Sequence, residues 1–370
     1  MPSAELIPLE VLEDGARVMQ ICNACRYCEG FCAVFPAMER RLSFSPRDLS
    51  YLANLCHDCR ECYYSCQYAP PHEFDLNLPR SLAALRRESY RAFAWPAFLV
   101  NVFGKSGPAL AVSLFLSPVL FLLGTLVFQK PSAVLAAHSV DEGSFYQVIP
   151  HHVMVGWFGF VGLLVVLAFA MEFRNFWREA GEGVGSWLDL RAVGRAVADS
   201  LRLRYLDGGG GGCPYPDERA SLARRRYHHL TFYGFSLCFA ATTMAAIYHN
   251  LFGWEAPYEL SSLPVILGSI GGLGLLVGPL GLLYLKATAD PAPADPLQHW
   301  MDVSLLVLLA LTSATGLLLL MLRESAAMGV ALAVHLGVVM GLFLTMPYGK
   351  FVHAVYRFAA LIRFAKENRE

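Results

Sequence analysis

The sequence predicts an all-α chain in two parts: a small cysteine-rich helical domain at residues 1–95 and a six-helix transmembrane bundle at 96–370. Three observations predict it. Only 16% of the 370 residues are charged and 55% are hydrophobic, against about a quarter charged in an ordinary soluble domain. From about Pro108 onward six apolar runs follow one another, each near the roughly 20 residues that a helix needs to cross a bilayer. Eight of the ten cysteines fall between Cys22 and Cys66, leaving Cys213 and Cys238 isolated.

The cysteines come first in the chain. "CNACRYCEGFC" and "CHDCRECYYSC" share the spacing C-x2-C-x2-C-x3-C. Three thiolates on a turning backbone grip three corners of one cubane cluster, and the fourth, on the departing segment, reaches the other cluster. On that logic Cys22, Cys25, Cys28 and Cys66 hold one [4Fe-4S] cluster, and Cys56, Cys59, Cys62 and Cys32 hold the second. Two-cluster ferredoxins place proline directly after the fourth cysteine, whereas Ala33 and Gln67 stand here. That departure bears on the crossing of Cys32 and Cys66 rather than on the clusters. Zinc is the competing use, but its sites usually pair two CxxC units a dozen or more residues apart. The first twenty residues lack the basic start, apolar run and cleavage site of a secretory signal, so a reducing compartment is expected, where metal ligation outranks disulfides. Between the runs, Ser45 as N-cap and Pro46 at the first helical position predict a helix. Tyr27, Phe31, Tyr63 and Tyr64 would shield the clusters from water.

The six spans lie at about 108–128, 151–171, 229–250, 263–285, 301–322 and 328–347. Arginine and lysine collect in the loops left on the cytoplasmic side. Arg80, Arg86, Arg87, Arg91 and Lys105 precede the first span, and Arg174, Arg178, Arg191, Arg195, Arg202, Arg204 and Arg224–Arg226 separate the second from the third. The tail after the sixth carries Lys350, Arg357, Arg363, Lys366 and Arg369, so both termini are expected inside. Within the basic 172–227 loop, "LDGGGGGCPYPDE" reads as a turn or flexible linker. The amphipathic segment before it would lie along the membrane surface or pack on the N-terminal domain. The glycine-rich "GSIGGLGLLVGPLGLL" of the fourth span predicts close helix packing.

Histidines within and at the ends of the spans point to haem, because ionisable groups inside a bilayer are costly enough to be functional. His335 lies inside the sixth span, and His353 follows 18 residues later, about 27 Å further along a helix. Matching depths pairs His229 with His353 near the cytoplasmic surface, and His335 with His249 or His151 nearer the outside. His152, His228 and His299 are interface histidines of the same kind.

The doubled cysteine run, "YHHLTFYGFSLCF", "MDVSLLVLLALTSATGL" and "HLGVVMGLFLTMPYGKFVHAVYRFAALIR" together resemble the tricarballylate/citrate utilisation protein B (TcuB/CitB) family over nearly the whole chain. The resemblance implies a bacterial inner-membrane protein with a ferredoxin-like two-cluster domain and one or two b-type haems. Such a protein reoxidises a soluble flavoprotein dehydrogenase, tricarballylate dehydrogenase-like, and reduces membrane quinone. The residues lead to the same scheme: a two-cluster entrance, haem in the bundle and a lipid bilayer around it. The chain has no GxGxxG after a strand-like run, so no substrate-oxidising site of its own is expected and a partner must carry the flavin; no nucleic-acid partner is expected. Two other schemes fit the composition, a quinol-fed donor to a soluble reductase and a zinc or redox-sensing membrane protein.

Overall fold

The computed structural model describes residues 6–104, 106–137, 143–181, 183 and 185–368; Lys105 and Arg369 lie outside these. The cysteine domain is built from short helices: α1 (Leu9–Cys25), α2 (Val34–Glu39), α3 (Pro46–Leu55), α4 (Glu61–Tyr64) and α5 (Leu78–Phe93). Each has a local cause. The first cysteine run closes α1, which ends on Arg26 in the left-handed conformation (φ 56°). Ser45 caps α3 in a reciprocal box with Asp48, and Pro46 opens the helix, so no interior hydrogen bond is lost. Asn77 caps α5 by accepting from the Arg80 amide.

Six helices among the described residues are long and apolar enough to span a membrane: α6 (Ala109–Phe128), α7 (His151–Glu179), α9 (Ala223–Phe252), α10 (Leu263–Ala287), α11 (Pro296–Leu322) and α12 (Met328–Thr345). Several outrun the apolar runs. The helix α7 continues eight residues past 171, and α9 begins six residues before 229, because charged side chains at these ends contact the cysteine domain instead of ending the helix. Outward faces are apolar: Leu120, Leu123, Trp157, Phe160, Leu163, Val166, Phe239, Ile270, Leu273 and Met321 are all exposed. Contiguous apolar surface of this extent is stable against lipid.

The helices α9 and α10 pack backbone to backbone, as the glycine pattern predicts. A Cβ on Gly234 would stand 2.5 Å from the Leu275 amide nitrogen, and one on Gly271 would stand 2.8 Å from the Cys238 nitrogen. Between α7 and α9 lies α8 (Leu190–Arg202), capped by Asp189. Its Ala192 and Ala196 face packs on the last helix, α13 (His353–Glu367), while Leu188, Leu190, Val197 and Leu201 stay exposed.

The cysteine domain sits on one end of the bundle. Arg60 donates to the Asp290 carbonyl (2.9 Å), Asn77 to the Ala292 carbonyl (2.8 Å), and Asn175 to the Phe93 carbonyl (3.1 Å). Its apolar core continues into the C-terminal helix: Val18, Phe35, Leu52, Leu55, Leu82 and Phe93 share one cluster with Tyr356, Ala360, Leu361 and Phe364.

Candidate functional site

The two cysteine runs face two adjoining cavities. Cys22, Cys25, Cys28 and Cys66 line the first, with Cys62 at its edge. Cys32, Cys56, Cys59 and Cys62 line the second. The departing cysteine of each run therefore stands beside the first three of the other. Burial pushes the Cys22 and Cys28 thiols up to about 12, with Cys66 the next cause for both. Cys32 is raised by burial and then by Cys59 and Cys56. Cys62 has neighbours in both groups, and Phe35, Cys62 and Leu78 line both cavities.

Among the described residues no three His, Cys, Asp or Glu side chains close on a single ion. The thiols surround a space rather than a point, which suits a cubane of several atoms better than zinc with its bonds of about 2.3 Å. Thiols raised by their neighbours are relieved when metal takes their protons. The donor set and the enclosed cavities therefore fit iron-sulfur clusters.

The second cavity is the deeper one. Cys56 and Cys59 are buried, whereas Tyr27 beside the first run is 69% exposed. The glycine-rich segment, expected as a linker, folds over this second group. It forms a hairpin in which β1 (Cys213–Pro214) pairs antiparallel with β2 (Ala220–Ser221). Gly212 (φ +109°) has no room for a side chain, since a Cβ would stand 2.7 Å from the Ser221 backbone. The hairpin brings the Cys213 thiol into hydrogen-bonding contact with Cys59, which raises Cys59 and lowers Cys213. Tyr215 lies under the guanidinium groups of Arg60 (4.6 Å) and Arg224 (5.0 Å). Nothing in the sequence around Cys213 signalled this contact, which joins residues about 150 positions apart.

Below the second cavity, at the membrane end, His353 faces His228 and not His229. Their ring centres are 6.3 Å apart with planes at 81°. Two imidazoles on opposite sides of one iron, each nitrogen about 2 Å from the metal, have ring centres about 6 Å apart. His353 Nδ1 bonds the Lys350 carbonyl at 2.7 Å, which fixes the ring and leaves Nε2 free. His228 Nδ1 is buried without a hydrogen-bond partner. His229, one residue on, turns beside Tyr233 (5.7 Å). His228 and His353 are thus the two imidazoles whose spacing would admit a metal shared between them.

At the far end of the bundle His151 and His249 stack at 3.6 Å, too close to bind one iron from opposite sides as they stand. His335 meets Thr315, Nδ1 to Oγ1 3.0 Å, with its ring against Gly316. Sequence reasoning also missed an ion cluster near the cysteine domain: Asp302 bridges Lys286 and Lys350, 2.8 Å to each. Lys350 also lines a mostly apolar cleft between α11 and α12, with Phe103, Met301, Leu305, Leu342, Met346 and Phe351.

Paired cysteine-lined cavities on a six-span apolar bundle define a membrane iron-sulfur protein. Comparison with known proteins gives the family. Residues 105–370 match the family described as Citrate utilization protein B, and residues 15–92 match its Fer4-like domain. The chain is 49% identical over 354 residues to the Citrate utilization protein B of Escherichia coli, covering 95% of this chain and 92% of that protein. It belongs to the citrate utilization protein B family. No solved structure matches it.

Proposed function

We propose that this protein carries single electrons from a soluble flavoprotein dehydrogenase, through two [4Fe-4S] clusters and b-type haem, to quinone in the bacterial inner membrane. The partner would oxidise a citrate-like tricarboxylate such as tricarballylate. The observation that carries the reading is the succession of neighbouring sites: a half-buried cysteine group, a more buried cysteine group sharing Cys62, then His57, His228 and His353. His57, between Cys56 and Asp58, is held by the Leu55 carbonyl (3.0 Å) and stands within electrostatic reach of His228.

The residues divide the work. Cys22, Cys25, Cys28 and Cys66 hold the first cluster, and Cys56, Cys59, Cys62 and Cys32 the second; His228 and His353 hold a haem, with His335, His249 and His151 as candidates for another. Bound there, these groups supply one-electron carriers, which convert a flavin's two-electron chemistry into single transfers. The mostly apolar cleft that Lys350 also lines is where quinone would bind. The arginine-rich loops before α6 and between α7 and α9 support a cytoplasmic cysteine domain and cytoplasmic termini.

The test is anaerobic purification with iron, sulfide and haem quantified and a dithionite-reduced minus oxidised spectrum recorded. The reading predicts about eight irons per chain, as two cubane clusters require, together with haem bands. Haem bands without non-haem iron and sulfide, or the reverse, would remove the corresponding half.

A further inference from the structure

The charges around the two cysteine groups are unequal. Three arginines from distant parts of the chain donate to consecutive carbonyls of the Cys56–Asp58 segment. Arg86, 1% exposed, donates to Cys56 O at 2.6 Å, and Arg357 donates to the same oxygen at 2.7 Å. Arg224 donates to His57 O at 3.2 Å and also to Asp58 O. Two carboxylates, Asp58 and Asp302, oppose them, and Asp302 is itself held between Lys286 and Lys350. Around the first group the balance is reversed. Besides the cysteines themselves, the charge that acts on Cys28 is Glu61; Arg26, next to Cys25, is exposed and bonds the Asn23 carbonyl.

Reduction adds one negative charge to a cluster, and a neighbouring cation stabilises the reduced form, more strongly where water is excluded. Burial alone would make the second group the harder one to reduce; three enclosed guanidinium groups reverse that, since of the two carboxylates facing them Asp302 is already matched by Lys286 and Lys350. We propose that Arg86, Arg224 and Arg357 hold the cluster of the second cysteine group at a higher reduction potential than that of the first. An electron then runs downhill from the less buried group to the membrane-facing one. One cluster is oxidised by one electron as the other is reduced by one, with no bond or proton exchanged. The inference rests on the iron-sulfur reading above and adds to it the direction of flow.

The experiment is a potentiometric titration of the purified full-length protein followed by electron paramagnetic resonance, with Cys25→Ser marking the first cluster's signal. The second cluster is expected to titrate at the higher potential. Arg357→Gln and Arg224→Gln should each lower its reduction equilibrium constant about tenfold, or 59 mV for a one-electron couple, while the first cluster stays in place. Arg357→Lys, which keeps the charge, should leave both unchanged. Glu61→Gln should raise the first. A first cluster at or above the second in the wild type overturns the proposal. So does an unmoved second cluster in the glutamine variants at full iron content. If neither variant assembles its clusters, the wild-type order decides. Absence of iron and sulfide from the wild type would instead overturn the iron-sulfur reading itself.

Discussion

At the scale of single residues the clearest difference between sequence and structure lies in two adjacent histidines. Successive positions on a helix are turned by 100°, since 3.6 residues make one turn, so only one of His228 and His229 can face His353. Which one does depends on how α9 is rotated against its neighbours. The apolar composition of a lipid-facing helix leaves that rotation unmarked. His228→Ala or His353→Ala is therefore expected to remove one haem per chain, measured as haem against protein, whereas His229→Ala should keep it. Loss of haem from His229→Ala alone would restore the sequence-based pairing. The cysteine spacing carries more information, because three thiols within seven residues leave few geometries open. The arginines that reach the Cys56–Asp58 carbonyls were legible only as charge. Arg357 lies 301 positions from Cys56, and positive-inside topology produces the same abundance.

Among the elements, the α9 and α10 pair tests what glycine does. In lipid there is no hydrophobic force to hold two apolar helices together, so close backbone approach must supply the dispersion contacts. Gly234 sits at a tight point of that approach, against backbone atoms that cannot rotate aside. Gly234→Val should cost about 1–3 kcal/mol of overpacking strain and lower the thermal unfolding midpoint of the detergent-solubilised protein. An unchanged midpoint would show that the two helices separate without penalty. This contact was readable from the small-residue pattern. The hairpin after the five glycines was not, since its fold is dictated by the surface it covers and not by its own propensities.

Across the whole molecule the N-terminal domain is clasped by the last helix. Arg41 pairs with Asp48 (2.7 Å) and Glu367 (2.7 Å), Tyr51 donates to Glu367 (3.0 Å), and Arg363 lies over the Tyr51 ring (4.2 Å). Burial opposes the charge on Asp48, but its bonds from Ser45 and Arg41 outweigh this and hold the carboxyl below its ordinary 3.8. A depressed native value stabilises the fold above the unfolded value and loses that stability as pH falls through the native one. The α3 to α13 contact should therefore weaken below about pH 4. Asp48→Asn should remove this part of the acid sensitivity and cost about 1 kcal/mol at neutral pH, read from unfolding midpoints across pH. The same clasp constrains synthesis. The cysteine domain is made before Tyr356, Ala360 and Phe364, which complete its core, and the hairpin over the second cysteine group follows it only after two spans. Iron and sulfide can therefore be delivered while the cysteine pockets are still uncovered. Synthesis of the α13 helix then closes the pockets over their contents.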